Sequence, residues 1–300
     1  MGARRRIRKS IVIIIVELLF STGSYEILNF PTDSRSLAIS NAASAYDHHI
    51  LRNNPAALSD NFSNFSYSYF NLPANIQYGM IQTLKKMETF INVNKISLLS
   101  YGKILDGETN KTHSAFDLLL TMGYKFKFKH ITSFGVSANY LMSSIANHHS
   151  NIICLNLGTR SKTNNNRLGF GASLENLMIT SNSFSSHNDV PPILFRSALY
   201  YQPLYFPGTI HFETKIFHHD KIKQYSIGIE SKPINNITIR TGLGWNELNE
   251  INELFDSILN NYSFGLGIDF NVIYLDIGFK NLNSSGYIIG ISINKKINQK

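Results

Sequence analysis

The sequence predicts an all-β protein: a closed antiparallel transmembrane β-barrel of about 14 strands, with an N-terminal segment that plugs it. Three observations lead there. From residue 62 onward, apolar residues alternate with small or polar ones, the period-two pattern of strands with one apolar face. The runs are about ten residues long and divide into an even number, as single-chain bacterial outer-membrane barrels require. The longer connections fall only after odd-numbered runs, the arrangement of such barrels, with short turns periplasmic and long loops outside.

Residues 1–24 read as an export signal. Arg4, Arg5, Arg6, Arg8 and Lys9 form a cationic start, and Ile11 to Phe20 an apolar run broken by Glu17. Ser21, Thr22, Gly23 and Ser24 then supply small residues, with cleavage expected after Gly23 or Ser24. An anchor helix needs about 20 apolar residues, which this run lacks. No later stretch is apolar enough for a transmembrane helix, so insertion is expected through strands.

Residues 25–60 are expected to form a hatch, and residues 61–300 the barrel. Within the first, Asp33 to Leu58 is poor in β-branched residues, rich in small ones and closed by Asn54-Pro55-Ala56. The strands are expected at 62–69, 75–84, 89–101, 115–127, 131–143, 151–160, 167–178, 192–202, 208–217, 223–232, 236–246, 261–270, 272–281 and 286–295. Their patterning is explicit. Leu118, Leu120, Met122, Tyr124 and Phe126 share one face, with Thr121, Gly123 and Lys125 opposite. Phe264, Leu266 and Ile268 oppose Ser263, Gly265 and Gly267. Lipid leaves no water for unpaired backbone groups, so the sheet must close. Small luminal residues leave room inside, and the hatch is the candidate to fill it, entering from the periplasmic side beneath the barrel. Long connections are expected at 102–114, 179–191 and 247–260, with a medium one at 144–150. A soluble β-sandwich or secreted adhesin fits the alternation alone, but gives no reason for loops to sort by parity.

Composition narrows the function. Only 16% of residues are charged, against 43% hydrophobic; average soluble domains carry roughly 25% charged. Setting aside the five basic residues of the N-terminal cluster and Glu17 leaves a net charge of +4 out of +8, and no basic stripe interleaved with aromatics follows, so nucleic acid is not an expected partner. Cys154 stands alone, which excludes an intramolecular disulfide, and its strand-like setting suggests a buried or lumen-facing thiol. No catalytic motif is present, and no cofactor is expected. The pairs His48-His49, His148-His149 and His218-His219 chelate poorly because neighbours on a strand point to opposite faces, so no metal site is expected. Gly169-Phe170-Gly171 and Gly265-Leu266-Gly267 read as lumen-facing strand glycines rather than nucleotide loops. In the loop from Glu247, the residues Leu248, Ile251, Leu254, Phe255 and Ile258 fall at helical spacing. They form either a helix packed over the barrel mouth or a partner-docking surface.

The plug stretch resembles the N-terminal signature of the PorV/PorQ family, within the wider FadL-type outer-membrane superfamily. That signature is Ala-Arg-x-x-Ala-hydrophobic-Gly-Gly-Ala, a spacer with an Asp, then Asn-Pro-Ala. Asp33 opens the stretch, Arg35 takes the arginine position, Ala38 the alanine, Ala42 and Ala43 small positions, Asp47 the acid, and Asn54, Pro55 and Ala56 the closing tripeptide. Ser40 and Asn41 replace the glycine pair. Tyr25 to Pro31, Tyr101-Gly102-Lys103 and Ser114 to Asp117 resemble the PorQ branch. The resemblance implies a fourteen-stranded barrel with an N-terminal hatch in the bacterial outer membrane. It further implies a non-enzymatic component of the type IX secretion system, whose partners are outer-membrane lipids and other secretion-system proteins or secreted cargo. The alternative is a FadL-like channel for hydrophobic small molecules. Arg35 and Asp47 are expected to hold the hatch on polar luminal groups. The chain departs from many outer-membrane barrels in ending on Lys300 instead of an aromatic residue.

Overall fold

The computed structural model describes residues 25–47, 49–51, 53–59, 65–105, 112–128, 131–146, 148–182, 191, 193–218, 223–246 and 261–295. Residues 1–24 of the expected export signal, and Leu248, Ile251, Leu254, Phe255 and Ile258 of the expected docking loop, lie outside the described residues.

Fourteen antiparallel strands close into one barrel. They are β1 (Phe65–Asn71), β2 (Gln77–Lys86), β3 (Phe90–Leu105), β4 (Thr112–Phe128), β5 (Thr132–Ile145), β6 (His148–Lys162) and β7 (Leu168–Asn182), followed by β8 (Leu194–Tyr201), β9 (Gly208–Phe217), β10 (Lys223–Ile234), β11 (Ile237–Asn246), β12 (Tyr262–Asp269), β13 (Ile273–Asn281) and β14 (Tyr287–Lys295). Each strand pairs with its sequence neighbours, and β1 closes on β14 in continuous register from Phe65↔Lys295 to Asn71↔Ile289. Closure leaves no strand edge along the shared wall, which satisfies the backbone without water.

Alternation assigns the faces. In β1, Phe65, Tyr67 and Tyr69 are exposed, while Ser66, Ser68 and Phe70 are buried. Aromatic residues gather near both ends of the wall. Phe90 packs on Tyr124 and Phe126, and Phe128 on Phe134, at the end carrying the even-numbered turns. Tyr225 stacks on Trp245, and Tyr262 and Phe279 meet beside Tyr287, at the odd-loop end. Two such girdles around an apolar band are the exterior of a membrane-spanning barrel.

The wall is uneven in height. β3 to β7 run from 14 to 17 residues, while β1, β8 and β12 have 7 or 8. This corrects two expected loops. The 102–114 connection narrows to 106–111, because β3 continues to Leu105 and β4 starts at Thr112. The 144–150 connection shrinks to 146–147. A bulge between Ser100 and Lys103, where Gly102 has φ 74°, interrupts the alternation and hides the strand's continuation from a period-two reading. Pro233 sits in another irregularity, between Ser231 and Ile234, where its missing N–H costs no ladder bond.

Residues 25–59 run through the lumen. Tyr25 bonds Ser150 near the odd-loop start of β6 at 2.8 Å, and Leu58 lies at the even-turn end beside Lys125 of β4. This segment carries little regular structure. It holds a 3-10 turn (Glu26–Leu28), a short helix α1 (Ser34–Ala38) and a second 3-10 turn (Pro55–Ala57). A five-residue helix is not stable in water by itself; here α1 packs against β11 to β14.

Candidate functional site

The candidate site is the luminal segment together with the wall that grips it. Its first part is apolar. Tyr25, Ile27 and Leu28 are buried with Phe70, Tyr78, Leu99, Leu119, Leu141, Ile152 and Cys154, and Phe30 packs against this cluster. Phe30, Phe70 and Tyr78 meet with ring centroids 4.9–5.7 Å apart. Cys154 is thus a buried luminal thiol.

The next part is charged, and most of the motif residues sit here. Asp33 caps α1, its Oδ1 accepting from the Ser36 amide at 3.1 Å. Arg35 donates to both carboxylate oxygens of Glu230 on β10, at 2.8 and 2.5 Å, and its third nitrogen donates to the carbonyl of Asp47 at 2.9 Å. Its guanidinium also lies over the Tyr46 ring. Glu230 accepts as well from Arg240 at 2.8 Å and faces His211 Nε2 at 2.9 Å. Arg240 passes on to Asp276 at 2.5 Å and to the Tyr274 hydroxyl at 2.7 Å. Asp47 pairs with Arg160 of β6, which also donates to the Ala45 carbonyl at 2.7 Å. A second buried network reaches the Ser44 amide, which donates to Glu213 at 3.0 Å; Glu213 in turn pairs with Arg196, itself bound to Glu175 at 2.7 Å. Among the described residues of these networks, the buried arginines Arg35, Arg160, Arg196 and Arg240 each face a carboxylate, as burial requires.

Close approach needs small wall residues, and the luminal glycines supply them. A Cβ on Gly265 would overlap the Ala38 side chain, and one on Gly242 the backbone at Ile39 and Ser40. On the other side of the lumen, a Cβ on Gly135 would overlap the backbone at Pro55 and Ala56, and one on Gly158 the Asn54 amide. Ser40 and Asn41 both have positive φ, 49° and 66°. This is the backbone region that favours glycine, which gives a physical reason for a glycine pair at these positions.

The remaining motif residues close the segment. Asn54 Oδ1 accepts from the Ala56 amide at 3.1 Å, capping the Pro55–Ala57 turn, while its side-chain nitrogen donates to the Ser44 carbonyl at 2.8 Å. One side chain therefore ties two passes of the segment together. Beyond it the wall grips backbone. Gln82 accepts from the Leu51 amide at 2.6 Å and donates to the His49 carbonyl at 2.9 Å. Lys95 donates to the Leu51 carbonyl at 3.1 Å, Lys125 to that of Leu58, and Ser133 to that of Ala56 at 2.9 Å.

Sequence reasoning named the residues on the segment and missed those on the wall: Arg160, Arg196, Glu213, Glu230, Arg240 and Asp276. The signal was present, since each is an ionisable residue on the small-residue face of an apolar strand, where a charge inside a membrane protein marks function or pairing.

The segment divides the lumen. At the even-turn end lies a cavity of about 630 Å³, bordered by Arg35, Tyr46, Asp47, Arg167, Arg240 and Tyr274. At the odd-loop end lies one of about 250 Å³, bordered by Ser40, Asn41, Lys215, Gln224, Asn246 and Lys280. Beside Thr32 and Thr121, within the segment's packing, a void of about 10 Å³ remains, room for about one water. Among the described residues no cluster of His, Cys, Asp and Glu is arranged to hold a metal.

No protein-family model and no curated protein sequence matches the chain. Solved structures do. The Pseudomonas putida toluene transporter TodX aligns with a TM-score of 0.62 at 12% identity, covering 88% of this chain and 96% of that one. The Ralstonia pickettii toluene transporter TbuX gives 0.63 at 10% identity, covering 89% and 98%. A Pseudomonas aeruginosa FadL homologue gives 0.57 at 10% identity, covering 90% and 99%. These neighbours are transporters and channels rather than enzymes. At such identities the likeness speaks for the fold alone: the closed fourteen-stranded barrel of this chain is similar to the barrels of these proteins.

Proposed function

We propose that this protein is a bacterial outer-membrane channel for hydrophobic small molecules, gated by residues 25–59. The observation that carries the reading is the apolar cluster in the odd-loop half of the lumen. Its wall residues Phe70, Tyr78, Leu99, Leu119, Leu141 and Ile152 form a concave apolar surface, filled by Ile27, Leu28 and Phe30. An apolar solute that displaces those three side chains finds the site the segment leaves. Below it, the Arg35–Glu230 pair holds the segment to the wall. The shared fold with toluene and monoaromatic-hydrocarbon channels supports the same reading.

The test is uptake of labelled toluene and of a labelled long-chain alkane by cells that carry the protein in a lipopolysaccharide-coated outer membrane. Uptake above cells lacking the protein, increased severalfold by Arg35→Ala, is the expected result. Uptake equal to the control for both probes refutes the channel.

A second reading has its own observation. The motif at Arg35, Asp47 and Asn54-Pro55-Ala56 resembles that of secretion-system barrels. In addition, β3 to β7 exceed the 9–11 residues a membrane strand needs, which supplies a raised five-stranded surface for protein contacts. In that reading the protein handles type IX cargo or machinery at the membrane. Co-purification of secretion components or cargo C-terminal domains, without solute uptake, decides for it.

A further inference from the structure

The apolar cluster in the lumen changes character at one level. On β4, Leu119 belongs to the cluster, and Thr121 is the next residue on the luminal face. On the segment, Phe30 packs against the cluster, and Thr32 follows two residues later. The void of about 10 Å³ lies where these meet, bordered by Ile27, Leu28, Phe30 and Leu119 together with Thr32 and Thr121. The apolar cluster and the void share these side chains, so they become one site once Ile27, Leu28 and Phe30 move. One luminal position further along β4, a Cβ on Gly123 would overlap the Leu51 side chain, so Leu51 closes the floor.

The two threonines give that floor a chemistry. Thr32 is 6% exposed and Thr121 4%, and neither hydroxyl has a hydrogen-bond partner among the described residues. Other polar groups bordering the void are engaged. Tyr78 donates to Ser97 at 3.1 Å, Asn156 Oδ1 accepts from the Asn176 amide at 2.8 Å, and Lys95 donates to the Leu51 carbonyl at 3.1 Å. Buried side-chain hydroxyls without a partner are exceptions in folded proteins and call for a group that completes them.

Size and hydrogen-bonding capacity select that group. The void has room for about one oxygen atom. A carboxylate brings two oxygens and a charge, while the cation at the void already serves Leu51. A hydrocarbon brings neither donor nor acceptor and leaves both threonines unpaired. A single hydroxyl accepts from one threonine and donates to the other.

We propose that the solute carried by this channel is an apolar primary alcohol, whose hydroxyl bonds Thr32 and Thr121 and whose chain replaces Ile27, Leu28 and Phe30. The assignment rests on the channel reading above and narrows its substrate. Thr32 adjoins Asp33, the cap of α1, so it stays with the part of the segment that Arg35 holds while the three apolar residues move.

The test compares uptake of labelled 1-decanol, decane and decanoate by cells with a lipopolysaccharide-coated outer membrane, each corrected for cells lacking the protein. Heat-modifiable gel mobility verifies that every variant folds. Decanol should enter about tenfold faster than decane, the worth of about one hydrogen bond. Thr121→Val and Thr32→Val, which keep the shape and remove a hydroxyl, should each bring that ratio close to one. Thr121→Ser, which keeps the hydroxyl, should retain most of it. Equal entry of decanol and decane overturns the proposal while the channel stands, and the threonines then hold a water. Preference for decanoate overturns it and makes Lys95 the head-group partner. A ratio unchanged in both valine variants overturns it as well. Entry of none of the three refutes the channel and the proposal together.

Discussion

The luminal segment is held in two different ways along its length. From Asp33 to Asp47 the wall grips it by charge: Arg35 on Glu230, Asp47 on Arg160, and the Ser44 amide on Glu213. From His49 to Ser59 the wall grips its backbone, through Gln82, Lys95, Lys125 and Ser133 and through contact with Gly135 and Gly158. The two modes fail differently. A buried ion network concentrates the hold in a few side chains, and losing one leaves others desolvated and unpaired. Backbone hydrogen bonds spread the hold over many contacts of about 1 kcal/mol each, so single losses are small. The charged half is thus suited to release as a unit, while the other half remains a fixed root next to β1.

Breaking the charged half should have the largest effect. Glu230→Ala removes the acceptor shared by Arg35 and Arg240 and should destabilise the closed lumen by about 3–5 kcal/mol. Single-channel conductance should then show open events absent from the native protein. Conductance as low as native would contradict a concentrated hold. Overfilling the rooted half comes next. Gly135→Val drives a side chain into the backbone at Pro55 and Ala56 and should cost about 1–3 kcal/mol by denaturant titration, with residues 33–47 remaining protected from protease. Protease cutting in both halves would show that they move together. Lys125→Met removes one backbone contact, at Leu58, and should cost about 1 kcal/mol with conductance unchanged. The smallest effect belongs to Ser40→Gly. It relieves a left-handed backbone costing about 1 kcal/mol but loses the 2.9 Å hydrogen bond between Ser40 and Ser263. The denaturation midpoint should therefore scarcely move, and a shift in either direction would show which term dominates.

The barrel was legible because its physics is local. Every wall strand has one face in lipid and one in the lumen, so the period of two persists and each strand announces itself. The expected fourteen strands match the observed ones to within a few residues at most ends, 208–217 and Gly208–Phe217 being identical. Reading failed where locality failed. The bulge at Gly102 breaks the alternation in β3, and the connection expected at 144–150 is only 146–147, because polar residues such as His148 and His149 continue a strand that has risen past lipid. The motif residues Arg35, Asp47 and Asn54 were legible as a group. Their partners were not, since Glu230 lies 195 residues from Arg35 and Arg160 lies 113 from Asp47.

The sequence by itself determined the number of strands, their faces, the small luminal residues and the segment that differs from all of them, because each rests on short-range alternation and backbone satisfaction. Tertiary structure alone decided that the segment threads the lumen from Tyr25 to Ser59, which acid meets which base, and how tall each part of the wall stands. Those depend on closure: only when β1 meets β14 do side chains far apart in the chain face one another across a lumen whose width no single strand encodes.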